Sequence, residues 1–129
     1  IAVGSDGYGF SFDPAITRDM PHPRNFGAFP RAIELSRDRK LLSLEDVVYK
    51  MTGLPAGIMG MTERGVLAEG KVADITIFDP EMIRDNSTFT DPVKRPSGIE
   101  TVLVAGMTVL EKGEFTGANP GKVLLHGRC

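Results

Sequence analysis

Apolar positions along the chain change rhythm near residue 62. Before it they come in clusters at helical spacing; after it they alternate. Ala2-Val3 open a short strand-like run that stops on Ser5-Asp6-Gly7. Ala32, Ile33 and Leu35 predict a helix over 31–39, with Arg37, Arg39 and Lys40 at its C-terminal end, where the helix dipole favours cations. Ser43 then reads as an N-cap answered by Asp46 in a capping box, with Leu42 and Val47 spaced as a hydrophobic staple. Leu44, Val47, Val48 and Met51 predict one buried face, and Thr52-Gly53 a left-handed helix end. Pro55 opens a further short helix whose Ile58, Met59 and Met61 read as core.

Beyond residue 62 the pattern predicts short strands. One lies between Gly65 and Gly70. A second runs over 72–79, with Ile75 and Ile77 on one face and Thr76 and Phe78 on the other. Asp74 at its front reads as a turn or cap. After a polar, proline-containing loop over 80–98, residues 99–104 and 108–110 flank Ala105-Gly106-Met107 as a β-hairpin. Lys112-Gly113-Glu114 turns out of it, and the tail from Phe115 is irregular.

Residues 8–30 stand apart. Pro14, Pro21, Pro23 and Pro30 interrupt them, and Tyr8, Phe10, Phe12, Phe26 and Phe29 are interleaved. Proline at this density opposes helix and ladder, so the stretch reads as a long loop of the kind that closes over a site.

Length and composition narrow the class. A chain of 129 residues with 41% hydrophobic and 25% charged content is that of one globular domain. Net charge is -2, and no basic cluster marks a nucleic-acid surface. No apolar run spans a bilayer and no signal pattern is present, so a cytoplasmic location is expected. The single cysteine, Cys129, excludes an internal disulfide framework and a cysteine-cluster zinc site. The start at Ile1, inside a strand-like run and without an initiator Met, reads as a cut through a larger protein.

Two stretches carry candidate chemistry. Ser5-Asp6-Gly7 puts a carboxylate at the mouth of an apolar strand, where α/β enzymes keep reactive groups; ordinary turn chemistry is the alternative. In Pro21-His22-Pro23-Arg24 the prolines stiffen the loop that presents His22 and Arg24. The planar fork of Arg24 suits a carboxylate, either a ligand's or that of Asp13 or Asp19. His22 and His126 lie near opposite ends, and no His-x-His or His-Glu-x-x-His spacing exists.

Further motifs carry a resemblance. They are Gly4-Ser5-Asp6-Gly7, His22-Pro23-Arg24, Lys50 to Ala56, Arg64 to Leu67, Glu69 to Ile75, Phe78-Asp79-Pro80, Gly98 to Gly106, and Phe115-Thr116-Gly117. In this order they resemble the C-terminal portion of the N-acyl-D-amino-acid deacylases (D-aminoacylases) of the amidohydrolase superfamily. The loop over 7–21 is longer and more aromatic than that family's pattern.

The resemblance implies an α+β fragment: the last strand and helices of a (β/α)8 barrel over 1–62, then short strands of a small β-sandwich domain and an irregular tail over 63–129. Ala2 to Asp6 would end the eighth barrel strand. Asp6 would be the catalytic acid/base, taking a proton from metal-bound water and passing it to the leaving amine. Arg24 would hold the substrate's α-carboxylate. Ser5, Gly7 and His22 would shape the loop or orient its groups. Zinc is implied for the full-length enzyme. Its ligands would lie in a missing N-terminal portion, with none bound by this chain alone. An N-acyl-D-amino acid is the implied substrate. The competing expectation is a non-catalytic module that self-associates through exposed strand edges; a weaker one is a split enzyme whose metal site comes from a separate chain.

Overall fold

A computed structural model describes residues 1–13 and 15–125. Pro14, His126 and Cys129 lie outside the described residues. Three helices come first: α1 (Arg24–Arg39), α2 (Leu44–Met51) and α3 (Gly53–Ile58). Four strands follow: β1 (Ile75–Phe78), β2 (Ile99–Val104), β3 (Met107–Glu111) and β4 (Glu114–Phe115). They form one antiparallel sheet in the order β1-β2-β3-β4.

Helix α1 begins at Arg24 rather than Arg31, so the expected loop is shorter and Pro30 lies inside the helix. Pro23 already has helical φ (-52°) at the N-cap. Pro30 removes one backbone donor. It nevertheless sits on the buried face formed by Gly27, Pro30, Ile33 and Glu34, where packing overrides intrinsic propensity. In α2 the N-cap is as expected: the Ser43 hydroxyl accepts from the Asp46 N–H at 3.1 Å. Only Val47 of its apolar residues is fully buried, however, and Leu44 is exposed. Thr52 caps α2, and α3 starts at Gly53 without a left-handed residue. Gly53 is instead a contact position, since a Cβ there would lie 3.0 Å from the Tyr49 ring. Ile58 and Met59 are exposed, not core, and the residue that α3 buries is Ala56.

Residues 1–6 make no ladder among the described residues. One backbone bond, from the Val3 N–H to the Lys50 carbonyl at 2.9 Å, ties them to the end of α2. A parallel strand is defined by neighbours on its edges, and none of β1–β4 pairs with this segment. No strand forms over 65–70 either, where Gly65 and Gly70 take left-handed φ and turn the chain.

The expected hairpin is present, with Met107 already in β3. Ala105 and Gly106 both have positive φ, as a type I′ turn requires. Lys112 and Gly113 repeat that geometry and fold β4 back onto β3, so Glu114 pairs with Glu111 rather than turning out. A register shift between Ile77 and Phe78 breaks the simple alternation of β1. Ile75 and Phe78 are therefore the half-buried residues, while Thr76 and Ile77 are exposed. Asp74 fixes the far end of this sheet. One oxygen pairs with Arg64 and the other accepts the Ala105 N–H at 2.8 Å.

The core joins the two halves. Ile33 of α1, Val47 of α2 and Ile83 of the 80–98 loop are buried together, with Met51, Phe78 and Ile99 packed against them. Polar contacts reinforce this seam. Arg37 donates to the carbonyls of Pro80, Glu81 and Ile83 at 3.0, 2.9 and 3.2 Å. Glu34, buried on α1, pairs with Arg31 and Arg84.

The core is small for the chain. Its accessible surface is 8969 Å², against about 6,700 Å² for a compact 14.0 kDa monomer. An apolar cavity of about 800 Å³ opens between α1, α2 and the sheet, lined by Phe29, Val48, Tyr49, Ile75 and Val102 among others. No helix among the described residues is long and apolar enough to cross a membrane.

Gly98 is the tightest backbone approach in this seam. Its φ is +81°, and a Cβ would lie 2.5 Å from the Ile83 nitrogen. Gly98→Ala is expected to lose about 2 kcal/mol or more of stability through left-handed strain plus overlap with backbone that cannot rotate away. Urea unfolding followed by circular dichroism measures it; an unchanged midpoint would refute the packing argument.

Candidate active site

Asp6 has φ +48°, a left-handed conformation that Asp tolerates better than most residues. The Ser5 hydroxyl closes the turn around it, accepting the Gly7 N–H at 3.2 Å. Arg24 stands in the first turn of α1 and meets Asp6 across the turn, Nη2 to Oδ2 at 3.1 Å. Asp13 and Asp19, the other candidate partners, are not the ones it takes. Both members of the pair face solvent, with side-chain exposures of 42% for Arg24 and 86% for Asp6. Such a pair stabilises the fold by at most about 1 kcal/mol, so a ligand can displace it cheaply.

The electrostatics at this end of α1 favour an anion. The first turn contains no acidic residue, and the arginine adds positive charge where the helix dipole is already positive. Asp6 supplies the counter-charge from outside the helix. A ligand carboxylate arriving at Arg24 would meet the same field and would free the Asp6 carboxylate.

His22 caps this helix. Its Nδ1 accepts the Arg24 N–H at 3.1 Å, and Phe89 stands edge-on to the ring at 5.1 Å. Pro21 and Pro23 on either side are buried. Asn25, which no sequence signal singled out, bridges the two arms of the site. Its Oδ1 accepts the Tyr8 N–H at 2.7 Å and its Nδ2 donates to the His22 carbonyl at 2.8 Å. Asn25 falls in the stretch read as loop, where no predicted helix marked it, and its partner Tyr8 lies 17 residues away.

The loop between Asp6 and Arg24 is held a second time, through aromatic contacts. Phe12 lies 5.2 Å from the Phe26 ring and 6.1 Å from Phe115 of β4. The Arg95 guanidinium sits over both Phe12 and Phe115, 5.6 and 4.9 Å from their centroids, and donates to the Gly113 carbonyl at 2.8 Å. Among the described residues no three His, Cys, Asp or Glu converge to hold a metal ion. The exposed guanidinium of Arg24 offers its planar fork to a carboxylate ligand.

Known proteins agree on the kind of molecule. Residues 6–110 match the model of the amidohydrolase family. An N-acyl-D-aspartate deacylase from Alcaligenes xylosoxydans xylosoxydans is 46% identical over 127 residues, 97% of this chain and 24% of that protein. A D-aminoacylase crystal structure superposes with a TM-score of 0.75 at 46% identity, over 77% of this chain and 21% of the other. An N-acyl-D-glutamate deacylase from Bordetella bronchiseptica, crystallised with zinc and a phosphonate mimic of the tetrahedral intermediate, superposes with a TM-score of 0.81 at 39% identity, over 99% of this chain and 25% of the other. The chain spans about a quarter of the length of the curated relatives it matches.

Backbone and charge at Asp6 are separable. Asp6→Asn keeps a side chain suited to positive φ and loses only an exposed ion pair, so stability is expected to change by less than about 0.5–1 kcal/mol. Asp6→Ala adds the strain of a left-handed alanine and is expected to cost about 1 kcal/mol more. Denaturation midpoints of the two variants test this order; the reverse order would refute it.

Proposed function

The chain belongs to the amidohydrolase family, and on that premise we propose that it supplies the acid/base carboxylate and the carboxylate-binding arginine for hydrolysis of N-acyl-D-amino acids. The observation that carries this reading is the 3.1 Å approach of Arg24 to Asp6, two residues brought together across a long loop. The relatives named as D-amino-acid deacylases supply the substrate class.

In this reading Arg24 grips the substrate's free α-carboxylate by two parallel hydrogen bonds, which fixes the amide beside Asp6. Asp6, released from its ion pair, accepts a proton as water adds to the amide carbonyl carbon. It returns that proton to the nitrogen as the C–N bond breaks. The products are a carboxylic acid and a free D-amino acid. Ser5 and Gly7 shape the turn that aims Asp6, and His22 holds the helix end that aims Arg24.

The rest of the reading concerns what lies beyond this chain. The metal ligands belong to an N-terminal portion, and zinc is the ion for the full-length enzyme, as in the zinc-bound Bordetella relative. Residues 1–62 end the catalytic (β/α)8 barrel, with 2–6 as its last strand, and 63–129 contribute to the small β domain. The apolar cavity and the exposed helix faces pack against the N-terminal portion, and the whole enzyme is cytoplasmic. The second reading, a non-catalytic module that self-associates into a homo-oligomer, draws on the same exposed apolar surface.

The test places this chain in the position of the corresponding quarter of the Alcaligenes relative and assays the zinc-loaded hybrid on N-acetyl-D- and N-acetyl-L-amino acids. Hydrolysis of the D series is expected. Asp6→Asn is expected to lower kcat by about 10³-fold with KM little changed. Arg24→Ala is expected to raise KM by about 10- to 100-fold. A folded, zinc-containing hybrid without activity, or an Asp6→Asn variant of full activity, would refute the assignment. Stable oligomers of this chain that neither restore activity nor take up metal would favour the module.

A further inference from the structure

We propose that Asn25 is a positioning residue that sets the spacing of Asp6 and Arg24 and makes it independent of the loop between them. This rests on the deacylase reading for its consequence in catalysis, but its geometry stands apart from that reading. The Asn25 amide ties the two ends of the loop together. On one arm it holds the Tyr8 N–H, two residues beyond Asp6; on the other it holds the His22 carbonyl, two residues before Arg24. Residues 9–21 leave and return at this tie, so a change in their length or packing is not transmitted to the ion pair.

A short primary amide meets both demands at once, and the Asn25 backbone N–H adds a second bond to the His22 carbonyl at 3.1 Å. The Tyr8 contact needs an acceptor and the His22 contact a donor. Aspartate lacks the donor, and an aliphatic side chain lacks both. The opposite wall is equally specific. A Cβ on Gly7 would lie 3.1 Å from Asn25 Oδ1 and 3.2 Å from Asn25 Cα, so the turn approaches the amide closely because residue 7 has no side chain. The tie also helps hold Asp6 in its left-handed φ. The contacts of Phe12 with Phe115 and Arg95 anchor the body of the loop on the sheet side, and its contact with Phe26 seats it on α1.

The experiment uses the zinc-loaded hybrid described above and two substrates, an N-acetyl-D-amino acid and its α-carboxamide. Their ratio of kcat/KM reads how well Arg24 is aimed at a carboxylate. It does not depend on how much of the protein is folded. Asn25→Ala is expected to lower this preference about tenfold. Gly7→Ala, which crowds the same tie from the other side, is expected to lower it in the same direction. A preference within twofold of the unsubstituted hybrid in both variants would overturn the proposal. Hydrogen exchange of the peptide containing Tyr8 is followed in the same proteins, and its amide is expected to exchange several-fold faster in Asn25→Ala. If the unsubstituted hybrid hydrolyses neither substrate, the deacylase reading fails and exchange alone decides the tie: acceleration at Tyr8 upholds it and an unchanged rate overturns it.

Discussion

Helix α1 is the constraint from which the rest of the structure follows. Its first turn carries Arg24 and Asn25 and faces the Asp6 turn. Its middle and last turns carry Ile33, Glu34 and Arg37 and face the 80–85 segment that leads away from β1. One rigid rod therefore connects the candidate chemistry to the sheet. The seam at its far end mixes a buried isoleucine pair with an arginine that donates to three backbone carbonyls. The position of the loop over 80–98, and through Phe89 one contact with His22, is set by that seam.

The site itself is held by a different kind of force. Its ion pair is exposed and weak, and its precision comes from short backbone contacts: Ser5 on Gly7, His22 on Arg24, Asn25 on Tyr8 and His22. That division suits a binding site. Backbone bonds keep the two charged groups in place, while the charge pair remains cheap to open when a stronger carboxylate ligand competes for the arginine.

Much of the fold was legible wherever local chemistry decides local structure. The Ser43 cap, the helix it starts, the strand before Asp79 and the hairpin around Ala105-Gly106 all follow from side-chain rules that need no distant partner. The failures share a cause in packing. Residues 24–30 read as loop because Pro30 opposes helix, yet the buried face containing it forms against the β half. Residues 2–6, read as the end of a barrel strand, make no ladder in this chain, where none of β1–β4 lies beside them. The turn at Lys112-Gly113 was read, but not the return of β4 along β3, because Glu114-Phe115 is too short to show a strand pattern. At the site, Asp6 and Arg24 were visible as chemistry, but their pairing across the loop and the tie through Asn25 belong to tertiary structure. No spacing rule encodes them.

The exposed apolar surface bears on both readings of the chain. Three aliphatic side chains form the fully buried cluster, and many large apolar side chains stay exposed. A self-associating module in the common two-fold arrangement would need a face complementary to itself. The cavity between α1, α2 and the sheet is concave. Two copies that meet through it would enclose a void rather than fill one, and an unfilled apolar void forfeits the contacts that make burial favourable. A convex apolar partner of different shape fills it without that penalty. An N-terminal portion that packs helices and strands onto this side meets the requirement, so the same surface that permits association argues for a partner unlike the chain itself.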